Sequence, residues 1–507
     1  MILAIIYFTF CCFIISKISF FKDEQLTLKL IFVVLIIKGL SCGAYYWVYF
    51  CYYPPGINGD SVSTLHDAKI MYDALPNHPM DFIKMIFGWH SELDTDPLYQ
   101  PYFDKIEKWG RADVTSDFFL NDNRTPIRLN AVIMLFSFGK YAVHALVMLM
   151  LSFIGQFAFY KTFKSYFPKK EILLSIIIFL TPSVLFWTSG VLKEPIAMCL
   201  MGLMMYAYFK IFIHLNYKLK HIVLFVSSLF LFLIIKPYIL VLLLVPLILF
   251  TLVKRYEIKR VLSFYISSII LVYGLGFFVL KFGFQKDVLN TIVVRQNDFV
   301  SLSKGGIFFI RGDKYVRLEC KDSANYRLVD TAQKLCQLNR HSAFMYWNTH
   351  NLRDTIIETN NKDTSYFYLK TICAPSGSAI YIDRLQYSWS SFAKLIPESF
   401  YNVLCKPLFF DSRSVLELMA SFENLCFILF FVICFIFIDK RLIDKNLLVF
   451  CIVIILSSFV LIGLTTTVTG AIVRYKVPFI PFLLMIPLSY LNPDFYKKIP
   501  FIKSYVN

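Results

Sequence analysis

Apolar runs long enough to cross a bilayer recur along this chain, and they constrain its fold more than any other feature. A spanning helix needs ~20 predominantly apolar residues. The runs are Ile2–Phe20, Leu28–Phe50, Tyr141–Tyr160, Ile172–Trp187, Pro195–Phe212, His221–Ile235, Tyr238–Val253, Val261–Lys281, Glu417–Ile438, Leu447–Leu464 and Pro478–Leu491. They predict about eleven crossings, the shortest of which only just span the hydrocarbon. Lys236-Pro237 interrupts the stretch 221–253, and a proline there ends or kinks a helix, so this stretch reads as a broken hairpin. Composition points the same way. Hydrophobic residues make up 57% of the chain and charged residues 17%, against about 45–50% and 25% in soluble domains. A water-soluble globule could not hide that much apolar surface, so lipid has to solvate most of it. The expected fold class is an all-α polytopic membrane protein whose first span is not cleaved.

The net charge of +17 would suggest nucleic acid in a soluble protein. Here the cations sit in short hydrophilic stretches between spans, which is a membrane-topology signature. These stretches are Lys17/Lys22, Lys161/Lys164/Lys169/Lys170, Lys210/Lys218/Lys220, Lys254/Arg255/Lys259/Arg260, Lys440/Arg441/Lys445 and Lys497/Lys498/Lys503. With the runs above, all of them fall on one side, and the positive-inside rule makes that side cytoplasmic. The N-terminus is then outside and the C-terminus inside. The Ile-, Phe- and Lys-rich usage suggests a bacterial cytoplasmic membrane.

The predicted organisation is therefore N-terminal spans in residues 1–50, a first extracytoplasmic loop at 51–140, a membrane core at 141–281, a second extracytoplasmic segment at 282–416, and C-terminal spans with a cytoplasmic tail at 417–507. The first loop contains amphipathic stretches, Met80–Trp89 and Ile127–Phe138, suited to the membrane interface. The second segment mixes aromatic and β-branched clusters and reads as a small α+β domain. Four of the 12 cysteines, Cys320, Cys336, Cys373 and Cys405, lie in it. An extracytoplasmic location permits disulfides, and four cysteines leave the pairing open.

The polar residues that could carry chemistry collect on the outer face. Pro54-Pro55-Gly56-Ile57-Asn58-Gly59-Asp60-Ser61 sets an acid in a glycine-rich turn just beyond the second span. Asp60 reads either as a general base toward an incoming hydroxyl or as an ordinary Asx turn. Trp187-Thr188-Ser189-Gly190-Val191-Leu192-Lys193-Glu194-Pro195 joins two spans. Lys193 at a helix start could hold a phosphate, and Glu194 would sit with it at the membrane edge; the plainer reading is a snorkelling lysine and an acid favoured by the helix dipole. Lys236 at the broken hairpin and Arg474 before the last span could contact phosphate oxygens or merely anchor the interface. Arg124 and Arg128 precede an amphipathic stretch and could face an anionic headgroup. Lys38, Lys140 and His144 fall within or beside spans and are either buried functional groups or snorkelling ones. Asp94-Thr95-Asp96 spells an acid-x-acid pattern, the feature that would bring a divalent cation, but the pattern is too short to require one. No phosphate loop of the G-x-x-x-x-G-K-[ST] kind, no H-E-x-x-H motif and no CxxC pair occurs, which weighs against ATP-driven transport and zinc proteolysis.

Gly59-Asp60-Ser61, the run Phe186–Glu194 and Arg474-Tyr475-Lys476-Val477-Pro478 resemble the GT-C superfamily, multi-spanning glycosyltransferases that use polyprenyl-phosphate sugars, and more closely its uncharacterised bacterial members. The resemblance covers residues 1 to about 281 and 417 to 491. It implies an inverting transfer with Asp60 in the place of the first-loop acid and Glu194 positioning acceptor or metal. Lys193, Lys236 and Arg474, joined by Arg128, would contact the donor phosphate. In many members the acid follows the first span and belongs to an acidic pair; here Asp60 follows the second span and stands alone. The implied partners are a polyprenyl-phosphate-linked sugar in the membrane and a glycan, lipid or protein acceptor. A polysaccharide polymerase or ligase, and a transporter or membrane scaffold, are the competing expectations.

Overall fold

The computed structural model describes residues 2–53, 59–88, 102, 105–106, 123–311, 314–318, 326–330, 335–338, 343–348, 354–358, 366–373 and 376–495. It is mostly helical. In chain order the helices are α1 (Ile2–Lys17), α2 (Leu28–Trp47), α3 (Asp60–Asp73), α4 (Pro79–Phe87), α5 (Arg124–Ser137), α6 (Tyr141–Phe163), α7 (Glu171–Phe179), α8 (Pro182–Trp187) and α9 (Lys193–Tyr208). They continue as α10 (Leu219–Ile235), α11 (Pro237–Arg255), α12 (Val261–Phe278), α13 (Val288–Lys304), α14 (Trp389–Cys405), α15 (Val415–Ile436), α16 (Lys445–Thr465), α17 (Thr469–Tyr475) and α18 (Ile480–Tyr490). Among the described residues, eight helices are long and apolar enough to cross a membrane: Leu28–Tyr52, Tyr141–Tyr166, Lys193–Ile213, Pro237–Arg255, Val261–Gly283, Val415–Ile436, Lys445–Thr465 and Thr469–Tyr490. Ile2–Lys17 and Leu219–Ile235 are apolar but shorter. On α12, Leu262, Ile266, Ile270 and Leu275 are all exposed, an arrangement that water would penalise and lipid accepts. The chain is an integral membrane protein.

One expected span differs. The run 172–187 is not a continuous helix but the pair α7 and α8, divided at Leu180-Thr181. Pro182 opens α8, has no N–H to offer the helix before it, and pushes Thr181 out of helical geometry (ψ 125).

The chain forms two compact units, 1–268 with 425–455 and 477–507, and 269–424 with 456–476. In the first, α6 and α9 pack with their backbones nearly touching. A Cβ added at Gly202 would stand 1.9 Å from the Gly155 carbonyl oxygen, and one at Gly155 would stand 2.3 Å from that of Met198. Small residues permit such approach in lipid, where van der Waals contact holds helices together. At one end, Asp23 in the α1–α2 connection accepts from Lys164 at 2.5 Å and from the Leu26 N–H at 3.2 Å. Burial pushes the Asp23 carboxyl up, but Lys164 and the backbone donors outweigh it and hold the group below the usual carboxylate range. The amphipathic stretches of the first loop become α4 and α5. Their apolar faces join α3 in a small core of Ala68, Met71, Phe82, Met85, Ile127, Ala131 and Met134, while Met80, Phe87, Leu135 and Phe136 remain exposed.

Among the described residues, the sheet lies in the second unit. β1 (Gly306–Arg311), β2 (Lys314–Leu318), β3 (Tyr326–Asp330), β4 (Leu335–Leu338), β5 (Ala343–Asn348), β6 (Asp354–Glu358) and β7 (Tyr366–Cys373) pair in the order β3-β4-β7-β1-β2-β5-β6. Every pairing is antiparallel. α13, α14 and α16 enclose a core of Val293, Ile382, Leu385, Phe392, Leu395 and Leu464. The Gln296 amide ties it to the chain by accepting from the Leu385 N–H at 2.6 Å and donating to the Asp383 carbonyl at 3.2 Å. Cys336 is buried on β4 and Cys405 is a free thiol; Cys320 and the side chain of Cys373 lie outside the described residues.

Candidate functional site

The second span, Leu28–Tyr52, carries the residues on which the site is built. Tyr45, buried on α2, presents its hydroxyl to the Ser61 hydroxyl at 2.9 Å. Its ring lies against Gly190, where a Cβ would come within 2.5 Å, and the neighbouring Tyr49 ring lies against Gly59, where one would come within 2.8 Å. Glycine is what lets both turns approach the aromatic pair. The turn bearing Asp60 and the turn leading to Lys193 are therefore anchored on the same two tyrosines.

Asp60 is the first residue of α3, with Gly59 as an extended N-cap. It is half-buried, and its carbonyl accepts from the Thr64 hydroxyl at 2.7 Å. A carboxylate in a first helical turn is favoured by the helix dipole. Residues 54–58 of the expected glycine turn, and the Asp94-Thr95-Asp96 pattern, lie outside the described residues. No group of three or more His, Cys, Asp or Glu suited to a metal ion occurs among the described residues.

The Thr188–Gly190 turn is held from beneath by a buried polar network. Lys38 donates to the Thr188 hydroxyl at 3.0 Å and to the Gln156 side-chain oxygen at 2.9 Å. Gln156 donates in turn to the Ile178 carbonyl at 2.8 Å, and Ser152 to the Thr188 carbonyl at 3.1 Å. Lys38, Gln156, Ser152 and Thr188 are fully buried. Polar groups this deep in a spanning segment are costly unless each finds a partner. The sequence had marked Lys38 as an ionisable residue inside a span. Gln156 and Ser152, two polar residues in the apolar run 141–160, carried the same signal and were passed over.

Lys193 and Glu194 open α9 and diverge at once. Lys193 is half-buried, whereas Glu194 is fully buried and bonds Lys236 Nζ through Oε1 at 3.0 Å. Lys236 sits at the break between α10 and α11 and is 3% exposed. The two residues form a buried ion pair inside the helix bundle. Arg128 donates from Nε to the Met85 carbonyl at 3.0 Å, and its guanidinium packs beneath Gly88, so it supports the C-terminal end of α4. Arg474, on α17, belongs to the second unit, while Asp60, Lys193, Glu194 and Lys236 belong to the first. Lys140 is exposed. His144 is buried between the Ser137 hydroxyl and the Asn130 side-chain oxygen, each at 2.8 Å, and pins α5 to α6.

The geometry thus assembles a half-buried carboxylate and a half-buried ammonium at helix starts that share one aromatic anchor, with a compensated ion pair behind the second. Such a set can accept a proton and hold an anion. No protein-family model, curated protein or solved structure matches the chain.

Proposed function

We propose that this protein is a membrane glycosyltransferase that moves a sugar from a polyprenyl-phosphate donor to an extracytoplasmic glycan, lipid or protein acceptor. The observation that carries the reading is the shared anchor: Tyr45 bonds Ser61, next to Asp60, and packs against Gly190, at the turn that delivers Lys193. In this reading Asp60 takes the proton from the acceptor hydroxyl as its oxygen attacks the anomeric carbon. The bond from that carbon to the donor phosphate breaks, and the phosphate leaves with the electron pair. Lys193 neutralises the charge that develops on it. Lys236 serves the site through Glu194 rather than by touching the donor. A divalent cation is not needed for any step.

The proposed transfer requires a defined orientation in the membrane. Within the first unit the basic loops meet at one end. Lys161 donates to the Phe20 carbonyl, Lys164 to Asp23, Lys254 to the Tyr166 hydroxyl, and Lys170 to the Leu488 and Leu491 carbonyls. We read this end as cytoplasmic, by the positive-inside rule, and the Asp60 and Lys193 turns as extracytoplasmic. The α7–α8 pair, α1 and α10 then count as crossings alongside the eight long helices.

The test is Asp60→Asn in a host whose surface glycan can be assayed. Product should fall at least about a hundredfold, the usual weight of a general base, with protein level unchanged. Undiminished product at normal protein level would remove Asp60 from the mechanism and with it this reading.

A further inference from the structure

The end of the first unit where the basic loops meet holds a cavity of 420 Å³ that the proposed reaction does not use. The volume lies within the ~300–1,000 Å³ of small-molecule sites. The span Pro237–Arg255 ends beside it, and Val261–Gly283 and Lys445–Thr465 begin beside it, so it opens where membrane helices meet water. Asn446 fixes its floor by accepting from the Tyr265 hydroxyl at 3.0 Å and donating to the Phe250 carbonyl at 2.9 Å.

The lining is mixed: apolar residues, Phe250 and Val261 among them, and four exposed charged residues, Lys254, Lys445, Glu257 and Asp444. Lys254 bonds the Tyr166 hydroxyl at 3.1 Å, and Asp444 caps α16 by accepting from the Asn446 and Leu447 N–H groups. No ion pair joins the four to one another among the described residues. Glu257 follows the end of α11 at φ 48, a left-handed conformation shared by Phe138, Lys169, Leu215 and Gln285 that glycine adopts freely.

We propose that this cavity binds the headgroup of a phospholipid bearing both a phosphate and a primary amine, of the phosphatidylethanolamine type. The two lysines take the phosphate diester, the two carboxylates take the ammonium, and the apolar lining residues take the glycerol and upper acyl chains. The balance of two cations against two anions argues against a purely anionic headgroup. A choline headgroup has no N–H to donate to the carboxylates.

The test is purification of the full chain from nanodiscs of equimolar phosphatidylethanolamine, phosphatidylcholine and phosphatidylglycerol, with the retained lipid measured by mass spectrometry. The wild type should retain phosphatidylethanolamine preferentially. Lys254→Gln or Lys445→Gln should lower phospholipid retention about two- to fivefold, the range of one solvent-screened charge pair. Glu257→Gly with Asp444→Asn should reverse the preference toward phosphatidylglycerol. The glycine suits the left-handed position and asparagine caps a helix as well as aspartate does, so neither change strains the backbone locally. Equal retention of the three lipids by the wild type, or an unchanged preference in the double variant, would overturn the proposal. So would soluble phosphoethanolamine displacing the lipid at equal concentration, because the ligand would then be a soluble phosphoamine.

Discussion

The Glu194–Lys236 pair shows how a buried charge acquires a role that its sequence position does not announce. Each group is costly to bury, and the 3.0 Å contact between them offsets part of that cost. Glu194→Gln or Lys236→Met alone should destabilise the protein by about 3–5 kcal/mol, the usual penalty for breaking a buried ion pair from one side. The double variant should recover most of it. Thermal midpoints of the purified protein check this, and a double variant no better than the worse single one would mean that the charges do not act as a pair. Sequence reading picked out both residues, because ionisable groups at the ends of spans are conspicuous. It could not pair them, since 42 residues separate them and the contact depends on how α9 meets the α10–α11 break. It also treated Lys193 and Glu194 as one unit. Neighbours on a helix point about 100° apart, and here that rotation leaves one at the boundary and buries the other.

At the level of elements, periodicity and apolar length made most helices legible, and proline marked two of the breaks. Lys236-Pro237 was read as an interruption, and the chain does divide there into α10 and α11. Thr181-Pro182 carries the same chemistry but falls within the expected span 172–187, because the residues on either side, Ile176–Leu180 and, past Ser183, Val184–Trp187, are apolar. The close packing of α6 on α9 was out of reach, because a glycine in a spanning run gives no sign of which neighbour approaches it. That packing can be tested directly. Gly202→Ala would drive a methyl toward the Gly155 carbonyl, which lies 1.9 Å from the position of the new Cβ and belongs to backbone that cannot swing aside. The helices must separate, at a cost of about 1–3 kcal/mol typical of overpacking. Gly470→Ala, where a Cβ meets nothing within 4 Å, is the matched control and should lower the thermal midpoint far less. In the second unit, aromatic and β-branched clusters signalled strands, but the order β3-β4-β7-β1-β2-β5-β6 places β7 between β4 and β1. Such non-local pairings are set by the folded sheet and not by any local pattern.

For the molecule as a whole, parity is the strongest constraint on the proposed topology. Two loops that touch at one end of a helical unit must be joined by an even number of crossings. The α1–α2 connection touches the loop after α6 through Asp23 and Lys164, and α2 and α6 supply that even number. Phe209 at the end of α9 lies 5.3 Å from Phe163 and 6.3 Å from Tyr166, ring to ring, so the chain returns to the same end after α9. For it to do so, the broken α7–α8 pair must carry the chain across. Lys254 at the end of α11 reaches Tyr166, which places the same demand on α10. The proposed orientation therefore predicts that alkaline phosphatase is active when fused after Gly59 or Gly190 and inactive when fused after Phe167, His214 or Glu257. An active fusion at Phe167 together with an inactive one at Gly190 would invert the membrane sidedness. Asp60 and Lys193 would then face the cytosol, out of reach of an extracytoplasmic acceptor. Activity at both Phe167 and Gly190 would instead mean that α7 and α8 form a re-entrant pair. The Lys38–Thr188 network would then support a loop dipping into the bilayer rather than a turn at its surface.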